Sequence, residues 1–366
     1  MIKFEKRNSI NPMLAIIVGI LAVILGLITN IILLSFLGYD AIEIFSTSFG
    51  KTFANKAGLL ETTVTWVPIV LCALSTVVAA KVGLWNLGLE GQFYMGAFAA
   101  TAVSMFVVSD SAYVKLPLMF IAAFLLGGIS GMIMSALRYY LNISDILSGI
   151  LLNGIIFQFI LLISSDVWKD NSTGAIQTPV FDEASWIPIL IPGSRVHFGV
   201  IIAIVLLFLA WFLFNKRPYG YEMRAVGQNL KAAVYAGMNV RNCVLVTMLI
   251  AGGITGIAGM LEVSGIAHRL QIAIHNGYGF SGFVVAWIAR LNIFATAIIS
   301  FFFSGLQVSG FKMQMMGLSS SIVQMLQGSI LILCISGELL LYYKVTFVKR
   351  CKDTKMKIMT TKEGGC

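Results

Sequence analysis

The chain has 366 residues, 58% of them hydrophobic and only 11% charged, with mean hydropathy +0.91 and a formal net charge of +9. Soluble domains carry about 25% charged residues, so this composition excludes a soluble globular protein and also a chain held by a single anchor. Most of the basic residues lie in three segments whose placement follows membrane topology, which argues against a nucleic-acid-binding surface.

In chain order, residues 1–11 carry Lys3, Lys6 and Arg7 and read as a cytoplasmic N-terminus. The run Met13–Leu37 is too long for a signal-peptide core and lacks a small-residue cleavage site, so it reads as a retained span. About 20 apolar residues cross the hydrocarbon core. Runs of that kind cover 12–37, 58–80, 90–109, 116–137, 145–165, 198–214, 240–264 and 322–343, and 277–309 has room for two short or broken helices. The predicted fold is an all-α polytopic membrane protein over 12–343, with about ten transmembrane helices in two related halves and broken helices near the midplane. Ala41–Asn55 has mixed polarity and is expected at the outer interface.

Loop 166–197 sets Lys169 and Arg195 against Asp166, Asp170, Asp182 and Glu183 and is predicted to be external. Loop 215–240 carries Lys216, Arg217, Arg224 and Lys231, and the tail 344–366 is strongly basic; both are predicted to be cytoplasmic. An even number of spans agrees with basic segments at both ends.

The stretch Gly83-Leu84-Trp85-Asn86-Leu87-Gly88-Leu89-Glu90-Gly91-Gln92 separates two apolar runs. Polar, glycine-broken backbone at a membrane segment's end must pack against protein or line a water-filled cavity. Ionisable groups in such places point to a transport pathway. Candidate path residues are therefore Asn86, Glu90 and Gln92, joined by Asn153 in the fifth span and Glu262 in the seventh.

Each has a structural alternative. Glu90, at a helix start, suits stabilisation by the dipole and free N–H groups of that helix. Glu262 with Ser264, His268 and Arg269 suits an ion-paired outer vestibule, and Asn153, Gln158 and Asn276 suit hydrogen bonds between helices. Gly277–Gly282 is a rough counterpart of the first broken segment, the arrangement expected of a transporter built from two repeats. Gly127–Gly131 and Gly252–Gly256 read as faces for close helix packing.

The one Gly-Lys-Thr, at 50–52, has Phe45 where a phosphate-binding loop needs glycine. Three scattered histidines and five scattered cysteines give no metal spacing, and no nucleophile constellation appears. Neither an enzyme nor a cofactor is expected. In the basic loop, Asn229 is placed to cap a short helix Leu230–Ala236 that Gly237 ends. A short, alanine-rich, exposed helix suits docking into a partner's groove, with Asn229, Lys231, Ala232, Ala233 and Gly237 as the candidate coupling residues.

Gly83–Gln92 continuing into Phe93-Tyr94-Met95-Gly96-Ala97-Phe98-Ala99-Ala100 resembles the signature of permease subunits of nucleoside ABC importers of the basic-membrane-protein type, within the sugar and branched-chain amino-acid permease superfamily. The resemblance continues through Arg224–Gly237, Gly259–Gly265, His268–Gln271, Gly277–Ala289 and Gln324–Leu331; Trp287 and Ala289 depart from it, standing where the family tends to smaller residues or glycine. It implies a nucleoside substrate and an ATP-binding cytoplasmic ABC ATPase as partner. It also implies a second permease subunit and an extracytoplasmic substrate-binding lipoprotein. The alternatives are a simple-sugar permease and an ion-coupled secondary transporter using Glu90 or Glu262.

Overall fold

The computed structural model describes residues 2–6, 12–172, 174–274 and 277–347. Asn276 and the tail beyond 347 lie outside them. Every predicted apolar run is helical: α1 (Pro12–Phe36), α3 (Lys56–Ala80), α4 (Leu89–Phe106), α5 (Ala112–Leu141), α6 (Asp145–Leu162), α7 (Gly199–Lys216), α10 (Val240–Glu262), α11 (Tyr278–Ile288), α12 (Ile293–Met315) and α13 (Ser320–Tyr342). Between them lie α2 (Ala41–Phe53), α8 (Pro218–Gln228) and α9 (Leu230–Tyr235). The ends of α6 and α10 widen into π-helical turns, Ile163–Val167 and Val263–Ala267.

Among the described residues, seven helices are long and apolar enough to cross a membrane: α3, α5, α6, α7, α10, α12 and α13. α4 and α11 are not among them. With 11 residues, α11 reaches about 17 Å, well short of a hydrocarbon core of about 30 Å. Apolar character marks where a helix is buried; length decides whether it spans.

The chain divides into two compact units. One comprises 1–29 and 329–366 and holds the start of α1, the end of α13, and an antiparallel pair of strands, β1 (Ile2–Lys6) and β2 (Tyr343–Phe347). In it, a Cβ on Gly26 would stand 3.1 Å from Ile330 Cγ1, so these two helices touch closely.

The other unit, 30–328, is built around α3 and α10. Their membrane-length stretches are 89% and 78% buried, against 28% for α6 and α7, which places them at the centre. α10 packs on α5, α4 and α3, while α11 and α12 pack on the opposite flank of α3. Glycines make the α10 contacts. A Cβ on Gly96 or Gly259 would overlap the carbonyl oxygen of Gly256 or Phe93 across the α4–α10 seam. On the α5 side, Gly127 has Gly256 Cα only 2.7 Å from the position its Cβ would take. Lipid tails are as apolar as leucine, so helix association in a bilayer relies on such close packing.

Outside the helices, loop 166–197 is folded against the end of α10. Ile187 N donates to Ser264 O (3.1 Å), Phe181 N to His268 O (2.8 Å) and Thr178 N to Leu270 O (3.0 Å). Trp186 stacks on His268 at 4.2 Å between ring centroids. Asp182 pairs with Lys115, a buried amine on α5. His197 is buried against Gly265 and Gly199 and accepts from Gly199 N through Nδ1 (3.1 Å). The loop is thus a folded strap, not a free connection.

Gly256→Val should sharply lower the melting temperature and yield in detergent, since forced overpacking costs about 1–3 kcal/mol or more. Gly154→Ala, with nothing within 4 Å of its Cβ, should be neutral or slightly stabilising through helix propensity. Burial pushes the His197 imidazole from 6.5 down to about 4, with the His268 charge acting the same way. A depressed pKa means that the unfolded chain binds the proton first. Melting temperature should therefore hold above pH 6.5 and fall between pH 6.5 and 4, with a loss on the order of 3 kcal/mol. His197→Gln should flatten that decline.

Candidate substrate path and coupling site

Helix α3 ends on Gly83, whose φ of 75° is left-handed. Gly83 N donates to Ala80 O (3.1 Å) and Leu84 N to Ala79 O (3.3 Å), a Schellman turn that needs glycine at this position. The next five residues, 84–88, have no regular structure; Leu84, Asn86 and Gly88 are buried, Leu87 is half-buried and Trp85 is exposed, and side chains from elsewhere satisfy much of their backbone. Asp145 Oδ2 accepts from Trp85 N (2.7 Å). Asn153 on α6 donates to Leu87 O and accepts from Gly91 N, both at 2.8 Å. Asn86 and Gln92 are fully buried and exchange two amide hydrogen bonds (2.8 and 2.9 Å), and Asn86 also donates to Ser75 Oγ (3.1 Å).

These partners meet the rule that irregular backbone at membrane depth packs against protein. Asn86, Gln92 and Asn153 hold the segment in shape. Asp145 and Ser75 belong to the same lock and were not legible in sequence, because Asp145 reads as an ordinary first-turn acid and Ser75 as one small residue of an apolar span.

Glu90 does something the sequence did not indicate. Its Oε1 accepts from Phe280 N (3.1 Å), at the start of α11 and not within its own helix α4. α11 begins after Gly277, which has no side chain to cap it, and the carboxylate supplies the missing acceptor at the positive end of the helix. Gly279 permits this approach, since a Cβ there would lie 2.9 Å from the carboxylate carbon. The two glycine-broken segments therefore meet at Glu90. A narrow crevice lies there, lined by Leu87, Leu89, Glu90, Gly279, Phe280 and Phe283 and too tight to admit a water molecule.

Glu262 stands apart from this cluster, buried at the C-terminal end of α10. It is within electrostatic reach of Arg195, whose guanidinium pKa is held above its ordinary value chiefly by the hydrogen bond to Glu61. Gln158 is exposed on α6.

In the basic loop, Asn229 Oδ1 accepts from Ala232 N (3.1 Å), capping α9. The helix ends in a second Schellman turn, with Gly237 at φ 77° and Met238 N donating to Ala233 O (3.1 Å). Asn229, Lys231, Ala232 and Gly237 are exposed, but Ala233 is buried and seats the helix on the chain. The face α9 turns outward is instead Leu230, Val234 and Tyr235, with Tyr235 91% exposed. At six residues α9 has two faces, and composition alone did not say which one turns inward.

Residues 58–335 match the family described as branched-chain amino acid transport system / permease component. The chain belongs to this permease family. It is 29% identical over 337 residues to the guanosine ABC transporter permease protein NupP of Bacillus subtilis (strain 168), covering 91% of this chain and 95% of that one. It is 27% identical to the glucose ABC transporter permease protein TsgB13 of Haloferax volcanii, covering 96% of both. It is also 27% identical to the nucleoside ABC transporter permease protein NupB of Lactococcus lactis subsp. cremoris, covering 86% and 89%. The permease is thus a multi-pass membrane protein, and both broken segments and the basic loop fall within the matched family region.

Removing the Asn153 clamp would strand a buried carbonyl and a buried N–H, each costing about 1–3 kcal/mol. Asn153→Leu should therefore lower the detergent melting temperature markedly, and Asn153→Asp, which keeps the acceptor for Gly91 N, should fall between it and the parent.

Proposed function

We propose that this permease carries nucleosides inward as the membrane subunit of an ATP-binding cassette importer. The observation that carries the reading is the near end-to-end similarity to NupP and NupB, relatives named for guanosine and nucleosides. The lining of the Glu90 crevice, closed in this conformation, suits that cargo once the crevice opens. Its carboxylate accepts hydrogen bonds from ribose hydroxyls, and Phe280 and Phe283 offer faces to a flat base, a contact worth about 1–3 kcal/mol per base. In this reading all ten helical runs serve the membrane domain as two related halves, each contributing one broken segment to the path, with both termini cytoplasmic and loop 166–197 outside. Glu262 belongs to the outer approach.

ATP is bound by a partner. A cytoplasmic ABC ATPase docks on α9 through Leu230, Val234 and Tyr235, framed by Lys231. A second permease subunit completes the pore, as the similarity to a further Bacillus subtilis guanosine permease protein, NupQ, supports. An extracytoplasmic binding lipoprotein delivers substrate to the strap. TsgB13 favours one competing cargo, a simple sugar.

Radiolabelled guanosine and glucose offered to a deletion strain, with and without the complemented permease, separate the two. Guanosine uptake that depends on ATP and not on an ion gradient is expected; glucose uptake alone would establish the sugar reading. Tyr235→Asp should abolish uptake at normal protein abundance. Ala233→Arg should instead lower abundance, because its side chain enters the permease's own packing.

A further inference from the structure

The basic loop and the first broken segment touch backbone to backbone. Gly227 lies in the last turn of α8, and a Cβ built on it would overlap Lys81 O and stand 3.0 Å from Lys81 C and 3.1 Å from Gly83 N. In the other direction, the Cβ position of Gly83 lies 3.4 Å from Gly227 O and 3.6 Å from Gly227 Cα. The side chains nearby hold the same elements together. Lys81 Nζ lies 6.0 Å from the centroid of the Phe214 ring, and Arg224 donates to the Phe214 carbonyl.

The joint between α8 and α9 is a single residue bonded on both sides. Asn229 N donates to Ala225 O of α8 (3.0 Å), while its side chain caps α9. By contrast, α9 leaves toward α10 through Gly237, which has nothing within 4 Å of its Cβ position. A side chain between two elements can absorb a displacement by changing rotamer, whereas backbone atoms in contact transmit it. Beyond Gly83, the Asp145, Asn153 and Asn86–Gln92 bonds tie the segment together as far as Glu90.

We propose that the Gly227–Gly83 backbone contact is the transmission through which movement of α9 reaches the Glu90 crevice, by way of α8 and not through the α9–α10 turn. The proposal rests on the reading of α9 as the ATPase dock. It assigns Gly227 as a positioning residue for transport.

The test uses the whole transporter, with ATPase and binding protein coexpressed, and three variants. A Gly-Ser insertion between Gln228 and Asn229 loosens the α8 route while leaving the contact atoms in place. The same insertion between Gly237 and Met238 loosens the α10 route. Gly227→Ala pushes the contact apart. The first insertion and Gly227→Ala should copurify with the ATPase and hydrolyse ATP, yet lose uptake by about tenfold to a hundredfold, the scale on which a misplacement of about 1 Å acts on a positioned site. The second insertion should keep most uptake. If Gly227→Ala fails to accumulate, the insertion pair decides. Parental uptake after the first insertion, or equal loss at both, would overturn the proposal. Absence of ATP-dependent uptake in the parent strikes the transport reading itself, a result distinct from any difference among variants.

Discussion

Helices in a bilayer gain little from hiding apolar surface from one another, so the larger unit depends on how closely their backbones approach. The seams of α10 with α4 and α5 supply that approach. Gly96, Gly127, Gly256 and Gly259 place carbonyl oxygens and α-carbons where side chains would otherwise stand. Dispersion between backbones and short Cα–H···O contacts then replace the hydrophobic term. α4 carries Glu90 at its start, and α10 bears the seat of the strap 166–197 at its end. Glu90 and the strap are thus registered to the same glycine seams.

Given that frame, the irregular stretch after α3 can exist inside the protein. Its polar groups sit where water is scarce, and an unpaired buried amide is costly. The chain answers with side chains from three other places: Ser75 on α3, and Asp145 and Asn153 on α6. Glu90, in the first turn of α4, reaches the start of α11, and Trp85 packs on Phe283 and Trp287 of the same helix. A carboxylate that holds a helix end by accepting from a backbone N–H can exchange that partner for another donor. The permanent lock and the exchangeable contact lie within a few residues of each other.

The two ends of the bundle are organised differently. At one, loop 166–197 is bound along 264–271 by backbone hydrogen bonds, the Trp186–His268 stack and the Lys115–Asp182 pair. At the other, α8 and α9 meet the bundle through glycine and alanine, Gly227 and Ala233, with little side-chain bulk between. The first arrangement suits a surface that receives a partner without deforming. The second suits one that passes on a displacement.

Much of this was legible in sequence, because its causes are local. Apolar runs set the helices, basic segments set the expected topology, Asn229 and Gly237 set the limits of α9, and the glycine runs at 127–131 and 252–256 announced close packing. The run 277–309, read from sequence as two short or broken helices, is divided by a turn at 289–292 into α11 and α12. Polar residues in the broken segment were recognised as unusual, but their partners were not, because Asp145 and Asn153 lie about sixty residues away and no local pattern encodes that pairing. Hydropathy and capping depend on neighbours in the chain, so the sequence by itself determined the helices, their ends and the family. Which helix Glu90 caps, which face of α9 turns inward and which backbones touch at Gly227 are relations between distant residues. Only the tertiary structure decided them, because only close packing brings those atoms together.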